Sequence, residues 1–331
     1  MIEVSSAGFY TLIQDRGRDG YYSIGMPPSG ALDQYSHSIA NVLVGNDPAA
    51  ATLELTFIAP KLIFKKSATV AVTGADFDVF IDDEHVENWT TLVIRTGQTL
   101  WFGPLRTGCR AYIAIRGGIA STPFLGSRST YVSSKIGGLD GTQLKAGDIL
   151  PIGKEEGLPP SPAAGTTIDE VFRPALTGLY ELRVVEGLCN YRFAQDGLEQ
   201  MFSSAYGVTP ESNRTGYRLD GPHLGFVDRE PVFGAGSNPS NVVDLGYPMG
   251  SIQVPNGEEP ICLLRDAVTG GGYATLGTVI SVDLDLLAQA KTPDQVSFTR
   301  IEIGAALAER QVRRQRLARI AEHVQRVKRA H

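Results

Sequence analysis

At 331 residues, with 42% hydrophobic and 20% charged side chains, the chain is too long for one small core and too apolar to stay disordered, so one large or two modest folded domains are expected. No run approaches the roughly 18 apolar residues of a membrane span, and the opening MIEVSSAGFY lacks the basic-then-apolar pattern of an export signal, so a cytoplasmic protein with no membrane partner is expected. The net charge of −6 is uneven: residues 310–331 carry eight Arg or Lys against one Glu, while the rest carries 22 basic against 35 acidic residues, a balance that repels nucleic acid.

In chain order, the first element is a helix over 33–44 (DQYSHSIANVLV), with Asp33 as N-cap, apolar residues at Ile39, Ala40, Leu43 and Val44, and a stop at Gly45-Asn46. Stretches 62–83 and 91–118 read as antiparallel strands broken by Gly, Pro, Asn or Asp. Within the second, Leu100 and Phe102 alternate with Trp101 and Gly103, and Tyr112, Ala114 and Arg116 alternate with Ile113 and Ile115, as strands with two different faces require. Residues 153–167 (GKEEGLPPSPAAGTT) have no apolar period and read as a linker or exposed loop. Beyond them come a strand over 180–187, a short helix around 190–204, and strands through 250–266 and 276–289. The tail lacks Gly and Pro and spaces Leu317, Ile320, Ala321, Val324 and Val327 along one helical face. Packing on its own body or on a sister subunit is the simpler role for that face; membrane or nucleic-acid contact is the rival. The expected organisation is a β-rich half at 1–153, a linker or loop at 154–170, a second β-rich half at 171–305 and a basic helix at 306–331.

Motif absences narrow the chemistry. Cys109, Cys189 and Cys262 form no CxxC pair, and His37, His85, His223, His323 and His331 never fall at ligand spacing, so neither a disulfide framework nor a metal site is expected. No P-loop, no strand-linked GxGxxG and no GxSxG elbow is present.

Four polar clusters remain, each with a plain structural alternative. Residues 14–21 (QDRGRDGY) crowd Gln14, Asp15, Arg16 and Arg18 around two glycines; a salt-bridged turn would do the same. Residues 126–131 (GSRSTY) could cradle an anion or form a hydrogen-bonded turn. Residues 212–221 (SNRTGYRLDG) offer Asn213, Arg214 and Arg218 to a carboxylate or carbamate, or bury an ion pair between Arg214 or Arg218 and Asp220. In 251–273, the apolar ICLL delivers Asp266 to a loop containing Gly270, Gly271 and Gly272. These glycines would leave room for a flat ligand and expose N–H donors, or else form a hairpin turn.

In order and spacing these clusters resemble the carboxyltransferase subdomain A/B family, also called allophanate hydrolase subunit 2 or urea amidolyase-related proteins. The resemblance runs from about 3 to 305 and is carried by GFYTLIQDRGRDGY (8–21), PPSGALDQYSHSIANVLVGN (27–46), ATLE (51–54), VTGADF (72–77), AYIAIRGGI (111–119), LGSRSTY (125–131), GGLDG (137–141), SNRTGYRLDGP (212–222), GSIQVPNGEEPI (250–261), DAVTGGGY (266–273) and ISVDL (280–284). It implies a mainly β fold of two cyclophilin-like β-barrel halves with a few short helices and a C-terminal amphipathic helix. It also implies an enzyme: the larger subunit of a two-subunit amide- or ureido-processing system, either a biotin-dependent carboxyltransferase of the urea carboxylase kind or the C-type subunit of a 5-oxoprolinase. The expected partner is a smaller, allophanate hydrolase subunit 1-like subunit, with a biotin carboxylase or carrier or a lactam-opening subunit beside it. The alternative within the family is a non-catalytic regulator that antagonises a kinase-inhibitor partner.

By the same resemblance Asp266 would accept the N–H of the substrate or of a biotin ureido ring, Asn213 and Gln253 would hold the carbonyl, and Arg214 would neutralise a carboxylate. Gln14, Asp15 and Arg18 would complete the wall, with Thr269 and Tyr273 as further substrate contacts. The chain has no Met-Lys-Met acceptor and no ATP-grasp-sized region, so carboxybiotin or ATP would be supplied through partner subunits. It departs from the family pattern at Gly270 and Ala274, where a Thr and a Pro are usual, at Thr215 in place of Met, and at Leu188 in place of Pro. These changes imply a shifted substrate or a degenerate member.

Overall fold

The structure, a computed structural model, describes residues 1–230 and 233–327, with only the backbone of Val327. The Val327 side chain and residues 328–331 of the basic tail lie outside it. Two compact units form. The first takes Met1–Arg18, Ser29–Ala175 and the chain from Arg314 onward; the second takes Asp19–Pro28 and Leu176–Arg313.

In the first unit β1 (Ile2–Ser6), β2 (Tyr10–Gln14), β3 (Thr52–Thr56), β4 (Lys61–Phe64), β5 (Ala68–Ile81), β6 (Glu84–Val86), β7 (Thr91–Ile94), β8 (Thr99–Ile115) and β9 (Ile149–Leu150) make one sheet. Its order is β2-β3-β8-β4-β1-β9, and β5 pairs with β6, β7 and β8. The two-faced alternation of the sequence explains how β8 is used. Ile113 and Ile115 point into one core with Val70, Val72 and Leu53, whereas Tyr112 and Ala114 point into another with Ile39, Ala40 and Leu43.

That second core is covered by α1 (Gln34–Leu43). Asp33 caps it as expected, accepting from the Ser36 N–H at 2.8 Å and from Ser36 Oγ at 2.6 Å. Glu54 anchors the helix start from β3: its Oε2 accepts from Leu32 N and from the Tyr112 hydroxyl, each at 2.8 Å, and that hydroxyl accepts from Asp33 N. Burial, reinforced by the charges of Glu54 and Asp33, holds the Tyr112 phenol well above its ordinary pKa.

The segment 154–170 lies on the first unit. Arg116 is buried; its Nε donates to Glu155 at 2.8 Å, its Nη1 to Val44 O at 2.9 Å, and its Nη2 to Pro159 O. Ladder bonds Thr91 N to Thr166 O and Ile168 N to Trp89 O continue the attachment. A Gly/Pro-rich stretch without apolar period can therefore still be ordered, because one buried guanidinium holds its Glu155 carboxylate and Pro159 carbonyl and ladder bonds hold its far end.

The second unit contains β10 (Leu179–Glu186), β11 (Ala205–Val208), β12 (Gly216–Asp220), β13 (Asn241–Gly246), β14 (Ser251–Gln253), β15 (Ile261–Leu263), β16 (Gly270–Tyr273), β17 (Thr275–Val279) and β18 (Gln295–Arg300). Seven of them close a barrel, β10-β17-β14-β15-β12-β11-β18, in which β10 and β18 meet as a parallel pair. β13 and β16 stand apart as a two-stranded ribbon. Of the two barrel halves expected, the second is thus a closed barrel and the first a nine-stranded sheet.

Helices α2 (Gln195–Ser203), α3 (Leu284–Leu287) and α4 (Ile303–Val327) complete the chain. The predicted apolar face of α4 is packed on the first unit: Ile320 and Val324 are each 1% exposed, among Tyr35, Leu43 and Trp89, with Leu317 and Ala321 beside them. Its first turns belong to the second unit, where Glu309 pairs with Arg183 and Arg313 pairs with Asp285 at 2.7 Å. Among the described residues no helix is long and apolar enough to cross a membrane.

Candidate functional site

In the second unit the antiparallel pairing of β12 with β15 sets Gly216 opposite Leu263 and Tyr217 opposite Cys262. The ladder runs on past both strand ends: Leu264 N donates to Thr215 O at 2.9 Å and Asp266 N to Arg214 O at 3.1 Å. This zipping places Arg214 directly across from Asp266. Nε donates to Oδ2 at 2.8 Å and Nη2 to Oδ1 at 3.2 Å, the fork geometry that fits a guanidinium to a carboxylate. Arg214 is 5% and Asp266 8% exposed. The buried ion pair anticipated as an alternative therefore exists, with Asp266 rather than Asp220 as its acid. Asp220 is exposed, and Arg218 pairs instead with Glu259 at 2.7 Å.

Three further groups belong to this centre and were not singled out from the sequence. Burial lowers the pKa of the Arg265 guanidinium, opposed by Asp19 and Asp266 and reinforced by Arg214. Burial raises that of the Tyr22 phenol, opposed by Arg265. Asp19 and Tyr22 come from Asp19–Pro28, which joins the second unit. The first polar cluster is thus divided: Gln14, Asp15 and Arg18 stay with the first unit, and Asp19 goes with the second. The available signal was adjacency, since Asp19 follows Arg18 and Arg265 precedes Asp266.

Asn213 sits next to Arg214 on an exposed turn, where its Oδ1 accepts from Thr215 N at 2.8 Å and its Nδ2 donates to Glu211 O at 3.2 Å. Gln253, half-buried, ends β14 opposite Ile261 of β15 and Thr275 of β17. Thr269 accepts at its carbonyl from Tyr247 N at 2.9 Å. Tyr273, 40% exposed, gives its N–H to the Tyr247 hydroxyl at 2.6 Å and takes that hydroxyl's hydrogen on its carbonyl at 2.9 Å.

The triple glycine is not a loop. Gly270, Gly271 and Gly272 form β16 against β13, with Gly270 opposite Gly246 and Gly271 opposite Leu245. A Cβ on Gly271 would lie 2.9 Å from the Tyr247 ring, and one on Gly270 or Gly272 would press a β13 carbonyl at 3.3 Å. The missing side chains make room for the ribbon's own packing.

In the first unit Gln14 and Asp15 join the second cluster, 126–131. Gln14, fully buried, donates to Thr130 O at 3.0 Å and accepts from Gly30 N at 3.1 Å. The Asp15 carboxylate takes the hydroxyls of Ser127 (2.6 Å) and Ser129 (2.5 Å) and the N–H groups of Gly17 (2.7 Å) and Arg128 (2.5 Å). Of the two options at 126–131, an anion cradle or a hydrogen-bonded turn, the loop wraps a carboxylate of the chain itself, Asp15. Arg18, 2% exposed, donates to Ser129 O.

Chemically, the Arg214–Asp266 pair presents a fixed carboxylate. Two of its roughly four acceptor positions are taken by the guanidinium, and the others can accept N–H donors such as those of an amide or ureido group. Among the described residues no group of three His, Cys, Asp or Glu is arranged to hold a metal ion.

The two-unit β architecture is shared with known carboxyltransferase proteins. Residues 24–300 match the family described as carboxyltransferase domain, subdomain A and B, and the chain belongs to that family. It is 34% identical over 312 residues to the C-type subunit of 5-oxoprolinase from Escherichia coli, covering 94% of each chain. It is 35% identical over 314 residues to the urea amidolyase of Lachancea kluyveri, covering 92% of this chain and 17% of that one. The crystal structure of the Kluyveromyces lactis urea carboxylase superposes with a TM-score of 0.91 at 32% identity, over 96% of this chain and 29% of that one. The chain thus spans under a third of the urea amidolyase and the urea carboxylase.

Proposed function

We propose that this chain is the larger subunit of a two-subunit enzyme that processes a small amide, urea or lactam, and that Asp266, held by Arg214, engages the substrate's N–H. The observation that carries this reading is the buried bidentate Arg214–Asp266 pair with Arg265, Asp19 and Tyr22 around it. The relatives' names, urea amidolyase and 5-oxoprolinase, supply the substrate classes.

An amide nitrogen is a poor nucleophile and must be oriented in a site short of water. A carboxylate clamped by a guanidinium suits orientation, because the fork fixes its plane. In this reading Gln253 and Asn213 hold the carbonyl, and Thr269 and Tyr273 contact the rest of the substrate. Gln14, Asp15 and Arg18, whose bonds run to 127–130, hold that loop. Carboxybiotin or ATP, where the reaction needs either, enters through partner subunits.

The test is turnover of 5-oxoproline, urea and small lactams by the chain reconstituted with its cognate smaller subunit, with and without ATP and biotin. Asp266→Asn, whose amide still fills the site beside Arg214, is expected to lose stability and, per folded molecule, roughly 100-fold in rate, the scale of a positioned acid-base group. A complex that turns over none of these, while the chain relieves inhibition of a histidine kinase, would establish the regulatory role instead.

A further inference from the structure

Besides the Arg214–Asp266 pair, the second unit holds two arginines together with no acid paired to either among the described residues. Segment 190–194 is zipped to 225–227: Val227 N donates to Arg192 O and Ala194 N to Gly225 O, each at 2.9 Å, and the rings of Phe193 and Phe226 lie 4.6 Å apart. The pairing brings Arg192 and Arg229 to the start of β13. Arg192 Nη2 donates to Pro239 O at 2.8 Å and to Asn241 O at 2.5 Å; Arg229 Nη2 donates to the same Asn241 carbonyl at 3.2 Å.

Arg192 is 4% exposed, and the Nε atoms of both arginines are buried with no hydrogen-bond partner among the described residues. Neither guanidinium makes an ion pair among the described residues, although Arg116 and Arg214, each as buried as Arg192, hold a carboxylate. Asp228 and Glu230, on either side of Arg229, and Asp244 on β13 are all exposed. Burial and the charge of Arg229 both lower the pKa of Arg192, opposed by Cys189 and by Tyr191, which also hydrogen-bonds the guanidinium.

Two like charges sharing one carbonyl oxygen, one of them buried and the other half-buried, repel, and carbonyl dipoles offset this only in part. A buried donor left unpaired in a native fold calls for a partner, and a bound ion is one that also offsets charge. Guanidinium groups match the planar or tetrahedral oxygens of carboxylates and phosphates, and Arg229, only half-buried, gives a small ion a way in. We propose that Arg192 and Arg229 form an oxyanion-binding site that takes the carboxylate or phosphate group of a small molecule.

Isothermal titration of the full chain with sodium phosphate and with malonate, at constant ionic strength against sodium chloride, tests the site. Saturable binding of at least one oxyanion is expected, weakened tenfold or more in Arg229→Gln, with Arg229→Lys between the two. The stronger of phosphate and malonate identifies the natural group. Arg229→Gln, at the half-buried member, is the informative variant if Arg192→Gln does not fold, and circular dichroism checks its integrity. The site is refuted if neither oxyanion binds more tightly than chloride, or if folded Arg229→Gln binds them as the wild type does.

Discussion

Removing one member of the Arg214–Asp266 pair would leave the other charge buried without its bidentate partner. Arg214→Met is therefore expected to destabilise the protein by about 3–5 kcal/mol in urea denaturation, whereas the double change Arg214→Met with Asp266→Leu should recover most of that loss. A double variant as stable as the wild type but inactive would separate the pair's chemistry from its structural part. A second residue gives a pH signature. Complete burial pushes the Cys262 thiol from 9.0 to about 12. Between those values the unfolded chain has lost the proton that the folded chain retains, so stability must fall as pH rises from 9 towards 12. Denaturant midpoints measured across that range should decline, and Cys262→Ala should flatten the decline.

Among the elements, α4 makes the sharpest prediction. Ile320 and Val324 are almost fully buried among Tyr35, Leu43 and Trp89, and each such side chain contributes about 1.5–3 kcal/mol. Replacing both by Asp should lower the melting temperature markedly, and an unchanged melting curve would mean that the helix does not hold this position in solution. In the second unit, β16 shows why an element's type can escape a sequence reading. Three glycines with no side-chain alternation look like a loop, but Tyr247 and the β13 carbonyls occupy the space where Cβ atoms would sit, and backbone pairing does the rest.

For the whole molecule, the acidic body and the basic run of 310–331 predict an association that depends on salt. Co-expressed with the smaller subunit proposed for it, the chain should elute as a complex at micromolar concentration and low ionic strength. Separate elution there would remove the two-subunit arrangement from the proposal. The oxyanion site is independent of that outcome, since Arg192, Arg229 and Asn241 all lie in one unit.

Periodicity and ordered motifs were enough, by themselves, to establish the mainly β class, the capped α1, the apolar face of α4 and the carboxyltransferase family, because alternation, capping and helical spacing are written in neighbouring residues. The partner of each charge was decided only by tertiary structure. Asp15 fills the 127–129 cradle from more than a hundred residues away, Arg214 reaches Asp266 rather than the nearby Asp220, and the chain hands Asp19–Pro28 to the second unit one residue beyond Arg18. Strand register sets the Arg214–Asp266 pairing, through the β12–β15 ladder. A register fixes which side chains meet across a ladder, and it depends on hydrogen bonds between segments that local sequence does not relate.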